Sequence, residues 1–194
     1  MRLFVAVEIS PAVATATLHL VDDLRVKAAR LAPLSRITWI TPERLHVTVR
    51  FIGHVGDEKA EAIAAALRTP IGVKPFELIV SGTGAFPPRG APRVIWAGLT
   101  TGSDRLAGVE RIVSDRLDVL EVHREDRPFN PHLTLGRIRD ARGVRTAALL
   151  EGLHDVVLGS TPVDAITLFE SRLSSKGATH VPLQRSALRK SWRI

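Results

Sequence analysis

Two tetrapeptides in this chain share one pattern: His46-Val47-Thr48-Val49 and His132-Leu133-Thr134-Leu135. Each reads histidine, apolar, threonine, apolar. On a β-strand successive side chains point to opposite faces, so the histidine and threonine of each copy share one face while the apolar residues pack on the other. Roughly 0.1 such matches are expected by chance in a chain of this composition, so the pair carries a signal that one copy would not. Two imidazoles facing a common space suit acid–base cleavage of a phosphodiester, one ring taking a proton and the other supplying one. Histidine's unperturbed pKa of about 6.5 lets both forms coexist near neutrality. Charge on the phosphate oxygens needs fixed donors, and the Thr48 and Thr134 hydroxyls fit that need.

Other residues join these with less specificity. By strict alternation Arg50 extends the His46–Thr48 face toward a phosphate. Arg93 and Lys176 are candidate contacts to a polyanion, and Phe129, Trp39 and Phe86 are candidate stacking surfaces for a base. Cysteine is absent, which excludes disulfides and thiolate metal sites. No carboxylate cluster adjoins the motifs, and His-x-Thr is not a zinc-ligand spacing, so no metal and no other cofactor is expected. The glycine-rich stretch 82–90 lacks the Gly-Lys-Ser/Thr ending of a phosphate-binding P-loop. A net charge of +7 and a pI near 10.9, spread along the chain, favour a basic cleft over a disordered basic tail.

Elements must hold these side chains in place. Residues 2–9 read as a strand, and Ser10-Pro11 starts a helix, with serine as N-cap and proline in the first turn. Strands are expected at 37–40, 44–52, 76–80, 93–99, 132–138, 163–173 and 180–184. Helices are expected at 57–68, from Ser103 or Asp104 onward, and at 140–153. Short turns between several strands favour an α+β fold with antiparallel sheets. His46 and His132 stand 86 positions apart, and each motif is followed by a turn and an expected helix. This half-chain repeat predicts a bilobal α+β architecture: two pseudo-twofold-related lobes, antiparallel sheets lining a central cleft, and helices outside. A chain of 194 residues fits a single domain spanning 1–194. The apolar run at 3–7 is too short for a signal peptide and no stretch reaches membrane-spanning length, so a cytoplasmic protein with no membrane partner is expected.

Five stretches in order, 1–8, 39–55, 84–99, 127–139 and 168–183, resemble the 2H phosphoesterase superfamily. Within it they resemble the RNA 2′,3′-cyclic phosphodiesterases, a group also called 2′-5′ RNA ligase-like. The resemblance implies a bilobal fold with both motifs in the cleft, and metal-free hydrolysis of an RNA 2′,3′-cyclic phosphate end to a 2′-phosphomonoester. It implies that His46 is the proton donor and His132 the proton acceptor, that Thr48 and Thr134 bond the phosphate oxygens, and that Arg137 is a phosphate ligand. The partner is then an RNA or nucleotide with a cyclic phosphate end, and a monomer is expected. Three features depart from the family pattern: His54 stands where an acid is frequent, His180 where an aromatic is common, and there is no tyrosine. The same two histidines serve 2′-5′ ligation by the reverse reaction, or hydrolysis of another small cyclic nucleotide. A non-catalytic RNA-binding module and a histidine-bound metal protein are the remaining readings.

Overall fold

The computed structural model describes residues 1–124, 127–174 and 177–189. Its first strand, β1 (Arg2–Glu8), is buried on both faces. Leu3, Val5 and Val7 enter the main core, while Phe4 and Ala6 pack with Phe169 on the opposite face. Helix α1 (Pro11–Leu31) begins as expected: the Ser10 hydroxyl accepts from the Val13 amide at 3.4 Å, and proline occupies the first turn. There follow β2 (Arg36–Trp39), a 3-10 turn Pro42–Arg44, β3 (His46–His54), α2 (Asp57–Ala66), β4 (Phe76–Phe86), β5 (Val94–Thr101) and α3 (Ser103–Asp118). The chain closes with β6 (Leu133–Asp140), α4 (Thr146–Leu149), β7 (Val157–Val163), β8 (Ala165–Ser174) and β9 (Gly177–Ala187).

One sheet runs in the order β7-β4-β5-β6-β3-β1-β8-β9, with β2 also paired to β6, and every pairing in it is antiparallel. It divides into two four-stranded halves, β3-β1-β8-β9 and β6-β5-β4-β7. Among the described residues they meet at a single residue pair, Val47 opposite Leu133, both fully buried. The half-chain repeat is therefore a pseudo-twofold about this seam, with β3 matching β6 and β1 matching β5. The last two strands return to the first half, because β8 pairs with β1. Helices exchange in the same way. Helix α1 leaves β1 but packs on β7, and α3 leaves β5 but packs on β3.

Three expectations need correction. The helix expected at 140–153 is only the four residues of α4. Gly143 and Gly152 both adopt a φ of +77°, a conformation that breaks a helix on each side. Strand β7 was not anticipated. It is the outermost strand, where Pro162 sacrifices no ladder bond on the open side. Residues 82–86, read as part of a turn, continue β4. Gly84 serves packing there, since a Cβ at this position would lie 2.2 Å from the Trp96 ring that rests on it. No helix among the described residues is long and apolar enough to cross a membrane.

Candidate active site

The seam fixes the geometry of the two motifs. With Val47 opposite Leu133 in an antiparallel pair, His46 lies across from Thr134 and Thr48 across from His132. Directly opposed side chains on one face have Cβ atoms about 5 Å apart. Two imidazoles and two hydroxyls thus form the corners of one cradle. The apolar residues between them (Val47, Val49, Leu133, Leu135) are buried on the other face. The main core therefore anchors both strands directly beneath the cradle.

At the last residue of each motif the strand carries one extra residue. The register against β1 passes from Ala6–Thr48 to Val5–Arg50 and skips Val49. The register against β5 passes from Trp96–Thr134 to Ile95–Gly136 and skips Leu135. These matched β-bulges reverse the alternation that follows. The residue five places after each histidine, Phe51 or Arg137, turns onto the cradle face, and the residue before it turns inward. Arg50 is the casualty of the strict-alternation expectation. It is 5% exposed, its Nη2 donates to the His123 carbonyl at 2.9 Å, and its Nη1 stands 4.0 Å from Glu110 on α3. It faces away from the cradle.

Both imidazoles are pinned from behind by the carbonyl two residues upstream. His132 Nδ1 is 2.8 Å from the Asn130 oxygen, and His46 has a backbone hydrogen bond to Arg44. A carbonyl can only accept, so Nδ1 of His132 carries the hydrogen and Nε2 is left for substrate. Aromatic rings wall each histidine. Phe4 lies 4.9 Å from His46, tilted by 34°, and Phe86 meets His132 edge-on at 5.1 Å. Phe86 in turn packs on Trp96 at 5.1 Å.

Burial lowers the pKa of both histidines. His46 falls to about 4, from burial first, then the charges of His180, Arg137 and His132, against the raising effect of its bond to Arg44. His132 is lowered less simply: burial and the Arg137 charge push it down while the Asn130 bond holds it up. Arg137 lies on the same face by the register, and its charge presses both rings toward the neutral form. The cradle thus disfavours positive charge, and an anion entering it relieves three cationic or potentially cationic groups at once.

The remaining candidates are dispersed. Phe129 is partly buried against the main core, as is Trp39, whose ring lies where a Gly136 Cβ would be, 2.9 Å away. Arg93 is exposed at the turn into β5, its amide bonded to the Phe86 carbonyl at 2.6 Å. Lys176 lies outside the described residues. Sequence reasoning missed Phe4, and it missed Phe51, which is 43% exposed on the cradle face. Phe51 was readable only by matching it to Arg137 through the repeat. His180, noted only as a departure, enters the cleft 5.0 Å from His46. Among the described residues no cluster of three histidine, aspartate or glutamate side chains is arranged to hold a metal ion.

Comparison with known proteins places the chain in a family. A family model described as the 2'-5' RNA ligase superfamily matches residues 13–174. The chain is 31% identical over 188 residues to an RNA 2',3'-cyclic phosphodiesterase of Archaeoglobus fulgidus, covering 95% of this chain and 98% of that one. A relative of the same name from Thermus thermophilus is 31% identical over 97% of this chain and 91% of its own length. Among solved structures, E. coli LigT complexed with 3'-AMP is similar, with a TM-score of 0.72, 25% identity and coverage of 96% and 97% of the two chains. A crystal structure of a Thermus thermophilus protein gives a TM-score of 0.68 at 29% identity, covering 97% of this chain and 98% of that one.

Proposed function

The chain belongs to the 2'-5' RNA ligase superfamily, and on that footing we propose that it hydrolyses RNA 2′,3′-cyclic phosphate ends to 2′-phosphomonoesters, using two histidines and no metal. The observation that carries this reading is the cradle itself. Two imidazoles, each with a carbonyl behind it, and two threonines meet at the seam beside one arginine that acts on both rings.

In this reading the cyclic phosphate sits between the motif strands. Thr48, Thr134 and Arg137 hold its non-bridging oxygens. Water attacks phosphorus in line with the 3′ oxygen. His132 Nε2 takes the water proton as the new P–O bond forms. The P–O3′ bond breaks and His46 delivers a proton to the leaving oxygen, so the products are a 2′-phosphate and a free 3′-hydroxyl. Burial and neighbouring cations make His46 hold a proton poorly, and the negative charge of the substrate is what loads it. Each proton transfer contributes about 10²–10⁴-fold. Phe51 and Phe129 are the surfaces available to a base, and Arg93 is an outer cationic group available to an RNA strand. Both histidines come from one chain, so a monomer suffices. Residues 1–194 act as one bilobal unit because each half supplies one histidine and the polypeptide returns from the second half to the first through β8 and β9. Acting on RNA ends, the protein works in the cytoplasm.

The test is direct. EDTA-treated protein is expected to open a 2′,3′-cyclic nucleotide and yield only the 2′-phosphate, resolved by phosphorus NMR. A requirement for added metal, or a 3′-phosphate product, contradicts the reading.

A further inference from the structure

His180 is a third imidazole in the cleft. It comes from β9 and sits opposite Ser171 of β8. Its ring meets Phe4 edge-on at 4.8 Å and an interplanar angle of 72°, and meets His46 at 5.0 Å and 76°. Phe169, stacked on Phe4 at 5.4 Å, lies 6.4 Å from it. His46 is therefore enclosed by one hydrocarbon ring and one titratable ring. We infer that His180 is a positioning residue for His46: its edge-on imidazole holds the His46 ring against Phe4 and sets how readily that ring takes a proton. The inference rests on the reading of His46 as an acid–base group.

The surroundings make the coupling selective. His46 is faced by His180 from β9, by Arg44 from the 3-10 turn, by Arg137 from β6 and by His132 just before it. Glu8 of β1 is paired with His46 in the sheet, and its carboxylate accepts the Thr167 hydroxyl at 3.0 Å. Arg44 lies against Gly177, where a Cβ would leave its guanidinium no room, and its charge presses His180 toward the neutral form. The cation from the turn thus acts on His180, and a charge on His180 acts in turn on His46. Two imidazoles this close do not both carry a proton without repelling each other, so they titrate as a pair. A phenyl ring in place of His180 would keep the wall and remove the coupling. Only the protonation of His46 would then change. His132 is walled by Phe86 instead, a ring that carries no charge. The chain thus distinguishes its two otherwise symmetric histidines at this point.

His180→Phe keeps an aromatic beside Phe4 and Phe169, and His180→Gln keeps a polar, uncharged side chain. The His46 ring is followed by carbon-13 NMR titration in wild type and both variants, without substrate. In parallel the pH dependence of kcat/KM is measured on a 2′,3′-cyclic mononucleotide. Both variants are expected to raise the His46 midpoint by about one pH unit, a tenfold gain in proton affinity. The alkaline limb of the rate profile should move the same way. An unmoved midpoint in both variants, or a loss of rate uniform across pH, overturns the inference and leaves His180 a packing residue. If wild type opens no cyclic phosphate, the proposed reaction fails, and the NMR titration alone still decides the coupling.

Discussion

Arg50 and Arg137 follow the two motifs closely, yet they do opposite things, and exchanging each for methionine separates them. Arg50→Met removes a hydrogen bond of 2.9 Å to the His123 carbonyl and a 4.0 Å approach to Glu110. A charged hydrogen bond contributes about 1.5–3 kcal/mol. The loss is softened in two ways. Among the described residues the Arg50 Nε is buried without a partner, and removing it relieves about 1 kcal/mol or more. Glu110 keeps its bond from Ser114 at 2.5 Å. The net expectation is a loss of about 1 kcal/mol, or about 2–4 °C in Tm for a domain of this size, with kcat/KM within about threefold of wild type. Arg137→Met, on an exposed face of β6, should leave Tm almost unchanged and lower kcat/KM by about 10²–10³-fold, the usual cost of deleting one donor to a developing oxyanion. Thermal melts and steady-state rates on a 2′,3′-cyclic nucleotide give both numbers. A hundredfold loss of kcat/KM in Arg50→Met, with Tm unmoved, would refute the bulge argument, because it would put Arg50 back on the cradle face.

Two further outcomes follow from burial. The His46 pKa is depressed in the folded state, to about 4, so the unfolded chain binds a proton that the folded chain refuses. Stability is then complete above the unfolded value of about 6.5, declines as pH falls below it, and by pH 4 has lost about 3 kcal/mol on this account; urea melts from pH 7.5 to 4.5 should show the decline, and His46→Asn should flatten it. Leu133→Ala opens a cavity at the pair joining the two half-sheets, and the expected cost is about 2–5 kcal/mol by denaturant titration; a loss below about 1 kcal/mol would mean that the seam does not hold the halves together.

Period-2 patterning with an intact apolar side made the two motifs legible, and Ser10-Pro11 made the first helix start legible, because both are local signals. The bulges at Val49 and Leu135 were not, since an extra valine or leucine in an apolar run leaves no mark in composition. That single hidden residue moved Arg50 inward and turned Phe51 into the cleft. The matching bulge turns Arg137 onto the cradle face, where alternation would have placed the side chain on the far face. Gly84 misled for a different reason, because glycine makes room for a ring as readily as it makes a turn. His180 is brought to His46 only by β9 pairing across the sheet, a long-range event with no local signature.

Whether both imidazoles act on one phosphate is decided by single-turnover rates. These should be compared on a 2′,3′-cyclic nucleotide in EDTA for wild type, His46→Ala, His132→Ala and the double variant, each checked for fold by circular dichroism. Groups that act as a unit are not additive, so each single variant is expected to lose about 10³-fold or more and the double variant little beyond that. A single variant that keeps its rate within about tenfold of wild type contradicts the shared-phosphate mechanism.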